Sequence, residues 1–468
     1  MIRVDELSLT EMASLIRQSS LTSEAITRHY LQALAERNPA INAVIQKRTD
    51  EAILAEAREA DIAVSQGQIL GSLHGVPITI KDVLHVKGYR LSRGIGEFLG
   101  DTSQNDATAV ARLRAAGAII IGLTNVPELC MAFETDNLIY GLTRNPHNLN
   151  HSAGGSSGGE AAAIAAGTSP AGLASDACGS VRIPAHFNGI CGFKLTQGRV
   201  PLTGQFPRER AGLFHHTSSF GVMGRYVADV EVLGRLIAGP DGHDPDTVDV
   251  PWQGADKPLD QLRVAFVYET ARVSPSPAVA RTLDRVRELT RAIVASVSNE
   301  QPPMLEESCE VLWRLFITGG DSARGWKQLF SDIDKRSFTP ALKGLVTMSE
   351  EVECSIDQVK SDWNNLDRMR YQLAAFFRSH DLLITPVHPE VAFEHGRSLD
   401  DRHQYGYVFP FSLSGSPTLV IPAGIDQTSG LPIGIQIVAP HWQEGRLIEF
   451  GKRLEAALPK WQAVIPVP

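Results

Sequence analysis

The pattern of hydrophobic residues predicts helices in the first part of the chain. Apolar side chains recur at the spacing of one helix face at Ile26, Tyr30, Leu31 and Leu34. Ser8 and Glu11 form a capping-box pattern ahead of an earlier helix. Asn38-Pro39 is expected to end the second helix, because proline does not continue a helix. Residues 1–67 are therefore predicted to form a helical N-terminal cover.

Alternating and continuous apolar segments predict strands further on. Val76, Ile78 and Ile80 alternate with other residues in a strand that ends at Lys81. The segment "DATAVARLRAAGAIIIGLTN" is typical of a helix followed by a short buried strand at Ala118–Gly122. A helix that leads into an apolar strand is typical of an α/β fold.

The C-terminal part continues this pattern. Further core strands are predicted in "LITPVHP", "SPTLVIPAG" and "GLPIGIQIVAP", and an amphipathic helix in "GRLIEFGKRLEAALP". Residues of about 253–345 show mixed helical patterns without a chemical motif, and we interpret them as a variable helical insert. No linker or repeat interrupts the chain, so residues 1–468 are predicted to be a single α/β domain.

Composition narrows the class of protein. The chain has 468 residues, 43% hydrophobic and 21% charged, which is ordinary for a globular protein with a large core. The net charge of −9 argues against a nucleic-acid surface, and no apolar run is long enough to predict a membrane span. Five cysteines without CxxC spacing fit neither a disulfide framework nor a zinc site. The expected location is the cytoplasm.

The glycine- and serine-rich stretch at 154–159 has several interpretations. A flexible linker is disfavoured, because a helix-forming run follows at once. A phosphate loop would need a lysine, and none occurs between Lys87 and Lys194. A nucleophile elbow fits Gly154–Gly158 in its GxSxG letters but needs a preceding strand, and "NPHNLNHSA" predicts none.

Several segments together resemble the amidase signature family. They are "GVPITIKD", "LTNVPELC", "YGLTRNPHN", "GGSSGGEAAAIAAG", "SDACGSVRIPAHFNGICGFK" and the terminal "GSPTLVIPAG" with "GLPIGIQIVAP". They occur in family order and extend over roughly residues 5–458. The resemblance implies a large mixed β-sheet covered by helices on both faces. It also implies an amidohydrolase that works without a metal or an organic cofactor.

The resemblance also implies roles for individual residues. Ser180 would be the nucleophile, Ser156 a bridging serine after a cis peptide bond, and Lys81 the base. Backbone N–H groups of Ala177, Cys178, Gly179 and Ser180 would form the oxyanion hole. Ser157, Asp176 and Arg182 would support this arrangement, and Cys130 and Gly155 would contact substrate. Cys178 stands where the family usually has glycine.

The chemistry of a lysine base has its own physical requirement. A serine hydroxyl needs a base to remove its proton before it attacks. Moving a lysine pKa from about 10.4 to about 7 takes roughly 4–5 kcal/mol in favour of the neutral form. Burial has the required sign, because desolvation lowers a lysine pKa. For Lys81 the alternative is a surface lysine that continues the strand.

The loops downstream of Ser180 offer weaker candidates. Phe206, Phe214 and His215 are candidates for the pocket, although a plain surface loop is an equal alternative. His215-His216 is not interpreted as a metal motif, because no further ligand occurs at a useful spacing. Residues 239–249 are acidic but lack calcium-loop spacing, so we interpret them as a solvated loop.

Three functions remain open at this point. The first is a stand-alone amidase that acts on linear amides. The second is the glutaminase subunit of a tRNA-dependent amidotransferase, and the third is a non-catalytic binding protein. The expected partner is a small-molecule amide, with no nucleic acid and no membrane span, and the chain is a candidate homodimer.

Overall fold

An eleven-stranded mixed sheet forms the centre of the molecule. The computed structural model describes residues 3–100, 102–206, 215–270, 272–303, 305–331, 333–334, 338–460 and 462–465. The strands are β1 (Val44–Gln46), β2 (Pro77–Lys81), β3 (Ile119–Thr124), β4 (Arg144–Asn145), β5 (Asn148–Ser152), β6 (Ala171–Asp176), β7 (Cys191–Lys194), β8 (Ser219–Gly224), β9 (Arg263–Phe266), β10 (Ser296–Ser298), β11 (Leu382–Pro386), β12 (Thr418–Ile425) and β13 (Pro432–Val438). The strand order in the large sheet is β1-β3-β2-β6-β8-β7-β12-β13-β11-β9-β10.

Helices cover this sheet, which confirms the predicted α/β class. They are α1 (Leu9–Arg17), α2 (Ser23–Ile41), α3 (Asp50–Ser65), α4 (Thr108–Ala115), α5 (Gly158–Ala165), α6 (Arg182–Asn188), α7 (Val227–Ile237), α8 (Pro277–Arg291), α9 (Leu305–Val311), α10 (Arg324–Leu329), α11 (Pro340–Glu350), α12 (Ile356–Ser379), α13 (Phe409–Leu413) and α14 (Glu444–Glu455). Within the described ranges, none of these helices has the length and apolar character needed to cross a bilayer.

The strand that carries Lys81 lies inside the sheet. β2 pairs in parallel with both β3 and β6, and Thr79 and Ile80 lie opposite Gly172 and Leu173. All five residues of β2 are buried, as expected for a parallel strand that is covered on both faces. The alternating pattern predicted this strand correctly, although both of its faces are buried.

The N-terminal cover contains three helices, and its first cap is confirmed. Both hydrogen bonds of the capping box between Ser8 and Glu11 are present. The second helix ends at Ile41 and not at Asn38-Pro39, so that prediction is wrong by a few residues. Asn42 in the left-handed conformation ends the helix, and its N–H donates to the Asn38 carbonyl oxygen. A proline in the last turn removes only one backbone donor there.

Two local predictions differ from the structure. Residues 253–345 hold β9 and β10, which form one edge of the large sheet, as well as helices. The segment before Ser156, expected to contain no strand, forms the two-stranded hairpin β4–β5, which ends at Ser152. The prediction of a single domain stays a prediction.

Candidate active site

The site lies where two neighbouring parallel strands end. Lys81 is the last residue of β2 and Asp176 is the last residue of β6. The carboxyl ends of parallel strands meet at one edge of a sheet, where α/β proteins commonly bind ligands. The loops that precede α5 and α6 bring Ser156 and Ser180 to this edge. The Gly155–Ser156 peptide bond is cis, as the family resemblance implies.

Lys81 is fully buried and contacts the first of the two serines. Its Nζ donates to Ser156 Oγ at 2.8 Å and to Ser175 Oγ at 3.2 Å. Burial lowers the pKa of Lys81 below the ordinary lysine value, against the opposing influence of Cys130 and Asp176. The alternative of a surface lysine is therefore excluded, and the amine has the environment that a neutral base requires.

A cavity of about 330 Å³ opens beside these groups. Ser156, Ser175 and Ser180 all line it. Ser180 is 8% exposed and Ser156 is 1% exposed, so both residues that line the cavity are buried. The cavity is within the usual size range for a small-molecule site, which is about 300–1,000 Å³.

A buried ion pair holds the loop that carries Ser180. Arg182 donates to Asp176 through Nε at 3.0 Å and through Nη2 at 2.9 Å. Burial is the largest single influence on the pKa of Asp176 and raises it, but the charge and hydrogen bonds of Arg182, the charge of Lys194 and the Val181 N–H together hold that pKa well below its ordinary value. Arg182 also donates to the Val408 carbonyl oxygen at 2.6 Å and to Ser412 Oγ at 2.7 Å.

The oxyanion-hole prediction needs one correction. The Gly179 N–H donates to Asp176 Oδ1 at 2.7 Å, so it already has an acceptor. For Ala177, Cys178 and Ser180, no acceptor of the backbone N–H lies among the residues that the structure describes. These three groups stay candidates for binding a carbonyl oxygen, while Gly179 shapes the loop with a φ of 112°.

Ser157 and Gly155 hold the serine loop in different ways. The Ser157 N–H donates to the Ser180 carbonyl oxygen at 3.3 Å, and its hydroxyl donates to the Ser175 carbonyl oxygen at 3.4 Å. Ser157 thus joins the two serine-bearing loops. Gly155 is not among the cavity-lining residues. A Cβ there would come within 2.6 Å of the Ala132 carbonyl oxygen, so Gly155 serves close packing, and its contact with substrate stays a prediction.

Three residues singled out in the sequence lie on the cavity wall. Cys130, Phe206 and His215 line it, whereas Phe214 lies outside the described residues. Cys130 has a φ of 63°, which non-glycine residues adopt only rarely. Cys178 is buried and is not part of the lining, so its side chain packs behind the loop.

Sequence reasoning missed the groups behind Lys81. Ser175 precedes Asp176 and contacts the lysine amine at 3.2 Å. Glu160 is fully buried and hydrogen-bonds to Thr124 Oγ1 at 2.9 Å and to Thr79 Oγ1. Burial raises the pKa of Glu160 to about 7. Thr79 lies two residues before Lys81, on the same face of β2, and this spacing was an available signal.

Sequence reasoning also missed part of the cavity wall. His243, Asp244 and Pro245 line the cavity, although their loop is largely exposed as predicted. Trp326 also lines it, from the region interpreted as an insert. No local pattern connects these residues to the serine loops, because they reach the site only through the tertiary fold.

One group near the cavity has the composition of a metal site. His215, Asp244 and Asp246 place one ligand atom each within 4.8 Å of one another. The expectation that His215 has no further ligand is therefore wrong, because spacing in sequence does not show that the two aspartates fold back onto it. Protein hydrogen bonds already engage these three side chains, since His215 bonds to Asp246 and Asp244 accepts from the Leu202 N–H at 2.8 Å. We therefore assign no metal to this group.

Comparison with known proteins identifies the family. The model of the amidase family matches residues 25–448. The acylamidase of Rhodococcus erythropolis is 31% identical over 97% of this chain and 96% of its own length. A glutamyl-tRNA(Gln) amidotransferase subunit from Acidothermus cellulolyticus is 30% identical over 96% and 93%. The structure of 6-aminohexanoate cyclic dimer hydrolase complexed with substrate superposes with a TM-score of 0.84 at 25% identity, over 99% of this chain and 100% of that one. The chain therefore belongs to the amidase signature family and is a hydrolase that acts on amides.

Proposed function

We propose that this protein hydrolyses the C–N bond of a linear carboxylic amide through Ser180, Ser156 and Lys81. The observation that carries the proposal is the fully buried Lys81 amine, 2.8 Å from Ser156 Oγ, beside a cavity that Ser156 and Ser180 share. A buried amine of lowered pKa is a base at moderate pH. A serine between base and nucleophile relays the proton across the gap.

The first half of the reaction forms an acyl-enzyme. The Ser180 hydroxyl loses its proton to Ser156 Oγ as the Ser156 proton moves to Lys81 Nζ, and Ser180 Oγ bonds to the amide carbonyl carbon. The carbonyl oxygen becomes an oxyanion, for which the backbone N–H groups of Ala177, Cys178 and Ser180 are the candidate donors. The C–N bond then breaks. The leaving nitrogen takes a proton from Ser156, which is restored by the Lys81 ammonium.

The second half returns the enzyme to its starting state. Water loses a proton through Ser156 to Lys81 and bonds to the acyl carbon. The bond from that carbon to Ser180 Oγ breaks, and the proton returns from Lys81 to Ser180. The net change is amide plus water to carboxylic acid plus amine, so the proposed cycle consumes no other reactant.

Replacing the nucleophile tests this proposal. We expect Ser180→Ala to lower kcat by about 10⁴-fold or more, as loss of a covalent nucleophile does. The control is Ser361→Ala, an exposed serine on α12, which should leave kcat unchanged. A fluorophosphonate probe should label Ser180, as mapped by mass spectrometry of the digested protein. Hydrolysis that persists in Ser180→Ala, or a probe adduct on Ser156, contradicts the proposal.

A glutaminase that works within a larger assembly is the second candidate. The relative from Acidothermus cellulolyticus, 30% identical over 96% of this chain, is named as part of a glutamyl-tRNA(Gln) amidotransferase. That function predicts ammonia release from glutamine and a stoichiometric protein partner on purification. Release of ammonia from glutamine by the isolated chain, at a rate above that for simple amides, would favour it. A protein without probe labelling at Ser180 would instead be a binding protein.

We also propose that the protein works in the cytoplasm. Its five cysteines, Cys130, Cys178, Cys191, Cys309 and Cys354, are all free thiols. Free thiols persist in a reducing compartment.

A further inference from the structure

The wall of the cavity carries both apolar and polar side chains. The apolar side chains are Val83, Leu129, Met131, Leu202, Phe206 and Trp326. The polar side includes His215, His243 and Asp244. Two aromatic rings therefore reach the cavity from segments that are far apart in the chain. An apolar wall favours an apolar ligand group, because burial removes both surfaces from water.

Trp326 is held in one orientation. Its Nε1–H donates to the Ile317 carbonyl oxygen at 3.1 Å. Its ring stacks on Phe330 with centroids 5.5 Å apart and an interplanar angle of 16°. Trp326 is 9% exposed, and it contributes to the cavity lining. With its polar atom satisfied, the ring presents an apolar surface of fixed position.

An unusual backbone brings Trp326 to the cavity. A π-helical turn at Leu312–Ile317 precedes it, and such turns often occur at functional sites. Four residues with positive φ follow before α10 begins, namely Gly319, Gly320, Ser322 and Ala323. Non-glycine residues adopt this conformation rarely. The chain here turns sharply, and α10 then places Trp326 beside the site.

The second ring, Phe206, is also fixed. Its backbone N–H donates to the Val83 carbonyl oxygen at 2.9 Å. The Arg93 guanidinium lies 4.9 Å from the Phe206 ring and 4.5 Å from the Phe98 ring. Cation–π contacts of this kind hold an aromatic ring in place. Both rings thus have defined packing partners, and a wall held by such contacts discriminates substrates by size.

We propose that the substrate carries a bulky apolar group, aryl or branched alkyl, on one side of the amide, and that Trp326 limits the size of that group. This inference rests on the proposed amide hydrolysis at Ser180. A fixed aromatic wall accepts groups that reach it and excludes longer ones. One methylene in an apolar pocket changes kcat/KM by about 10–200-fold, so a wall is a strong size filter.

The test is a size series on two variants. Trp326→Leu removes the ring and keeps an apolar residue. The control is Trp252→Leu, which alters a half-buried tryptophan that packs on Phe193 and does not line the cavity. One substrate series varies the acyl group of a p-nitroanilide from acetyl through benzoyl to phenylbutanoyl. A second series keeps one acyl group and varies the amine from ammonia to naphthylamine.

In one of the two series, we expect the wild type to prefer a group of benzoyl size over smaller groups such as acetyl and over larger groups such as phenylbutanoyl. Trp326→Leu should raise the kcat/KM ratio of the largest group to the benzoyl-sized group by about 10-fold or more. Trp252→Leu should leave this ratio within about twofold of wild type, since Trp252 lies outside both the cavity wall and the turn that positions Trp326. If Trp326→Leu does not fold, Trp326→Phe should give a smaller shift in the same direction.

The outcomes separate this inference from the proposed function. If wild type cleaves amides and Ser180 is labelled, but the Trp326 variants keep the wild-type ratio in both series, the inference is wrong and the proposed function stands. A preference for acetyl or for charged groups would also overturn it. If wild type cleaves no amide and Ser180 is not labelled, the proposed function itself has failed.

Discussion

At the scale of single residues, the environment of Lys81 decides the chemistry. Burial is the largest influence on its pKa and lowers it, while the nearby Cys130, Asp176 and Glu160 raise it. The amine keeps hydrogen bonds to Ser156 and Ser175, so its burial leaves it with partners. Because burial outweighs the opposing charges, Lys81 loses its proton at a lower pH than a free lysine does.

The pH dependence of activity should report this residue. We expect kcat/KM to rise as the pH increases through the folded-state pKa of Lys81, because only the neutral amine accepts the Ser156 proton. This rise should lie below pH 10.4, roughly the value for free lysine, because burial lowers the pKa of Lys81. Glu160→Gln removes a negative charge that favours the ammonium, so the rise should move to lower pH. The measurement is a pH profile of kcat/KM near and above pH 7, where Glu160 ionises.

The control for this prediction is another buried carboxyl. Glu455 also has a pKa raised by burial, but it contacts Cys191 and the Val227 N–H. Glu455→Gln should leave the pH profile where it is in wild type. If Glu160→Gln leaves the pH profile of kcat/KM unchanged, or if both variants shift it equally, then Glu160 does not influence the pKa of Lys81.

At the scale of elements, the loop between β6 and α6 depends on one ion pair. Asp176 ends the strand and accepts the N–H groups of Gly179 and Val181 as well as the Arg182 guanidinium. Both side chains of the pair are fully buried. A buried pair contributes little net stability over an apolar one, but removing one partner leaves an uncompensated charge.

Arg182→Ala should therefore lower stability and activity together. We expect the free energy of unfolding to fall by about 3–5 kcal/mol, the usual cost of breaking a buried pair. Denaturant unfolding measures this loss. The control is Arg291→Ala, which breaks an exposed pair with Glu288, and solvent screening should keep that loss below about 1 kcal/mol. Equal losses of unfolding free energy in the two variants would mean that the Asp176 carboxylate does not need Arg182 as its counter-charge.

The elements that carry the site were predictable because their signals are local. Strand β2 has an alternating pattern with Lys81 at its end, and the glycine-serine stretch leads directly into α5. The hairpin β4–β5 was not predicted, since "NPHNLNHS" has few β-branched or aromatic residues and its pairing is between two polar segments. The three-residue strand β1 gives too short a pattern to predict.

The cavity walls were not predictable for a different reason. Trp326, His243 and Pro245 line the cavity through contacts with distant parts of the chain. Gly155 stands next to Ser156, yet it faces the backbone at Ala132 and not the cavity. Neighbours in sequence can point to different places, so a motif predicts the catalytic groups better than it predicts the groups that select the substrate.

At the scale of the whole molecule, the N-terminal helices stabilise a region away from the serine loops. The Leu9 N–H donates to Asp229 Oδ1 at 2.7 Å, and Arg225 donates to the Asp5 carbonyl oxygen at 2.7 Å. Met12 is completely buried. These contacts join α1 to the segment that starts α7 and close the main apolar core.

Met12→Ala should lower stability without changing the chemistry. We expect a loss of about 2–5 kcal/mol in the free energy of unfolding, as for other buried methionines cut to alanine. After correction for the folded fraction, kcat/KM should equal that of wild type. Ile62→Ala is the control, because that side chain is 56% exposed and its loss should be within about 0.5 kcal/mol. A fall in kcat/KM of the folded protein would show that the N-terminal helices influence the active site, contrary to this prediction.

Two hydrogen-bond acceptors of Arg182 lie far along the chain, and this affects when the Ser180 loop is completed during protein synthesis. Its guanidinium reaches Val408 and Ser412, which follow 226 and 230 residues later. Ribosomes produce the chain from the N-terminus, so a nascent polypeptide that already includes both serines and the lysine still lacks these two acceptors. The loop gains its last anchors only when residue 412 has left the exit tunnel. A nascent chain that has not yet exposed residue 408 therefore lacks both of these anchors of the Ser180 loop.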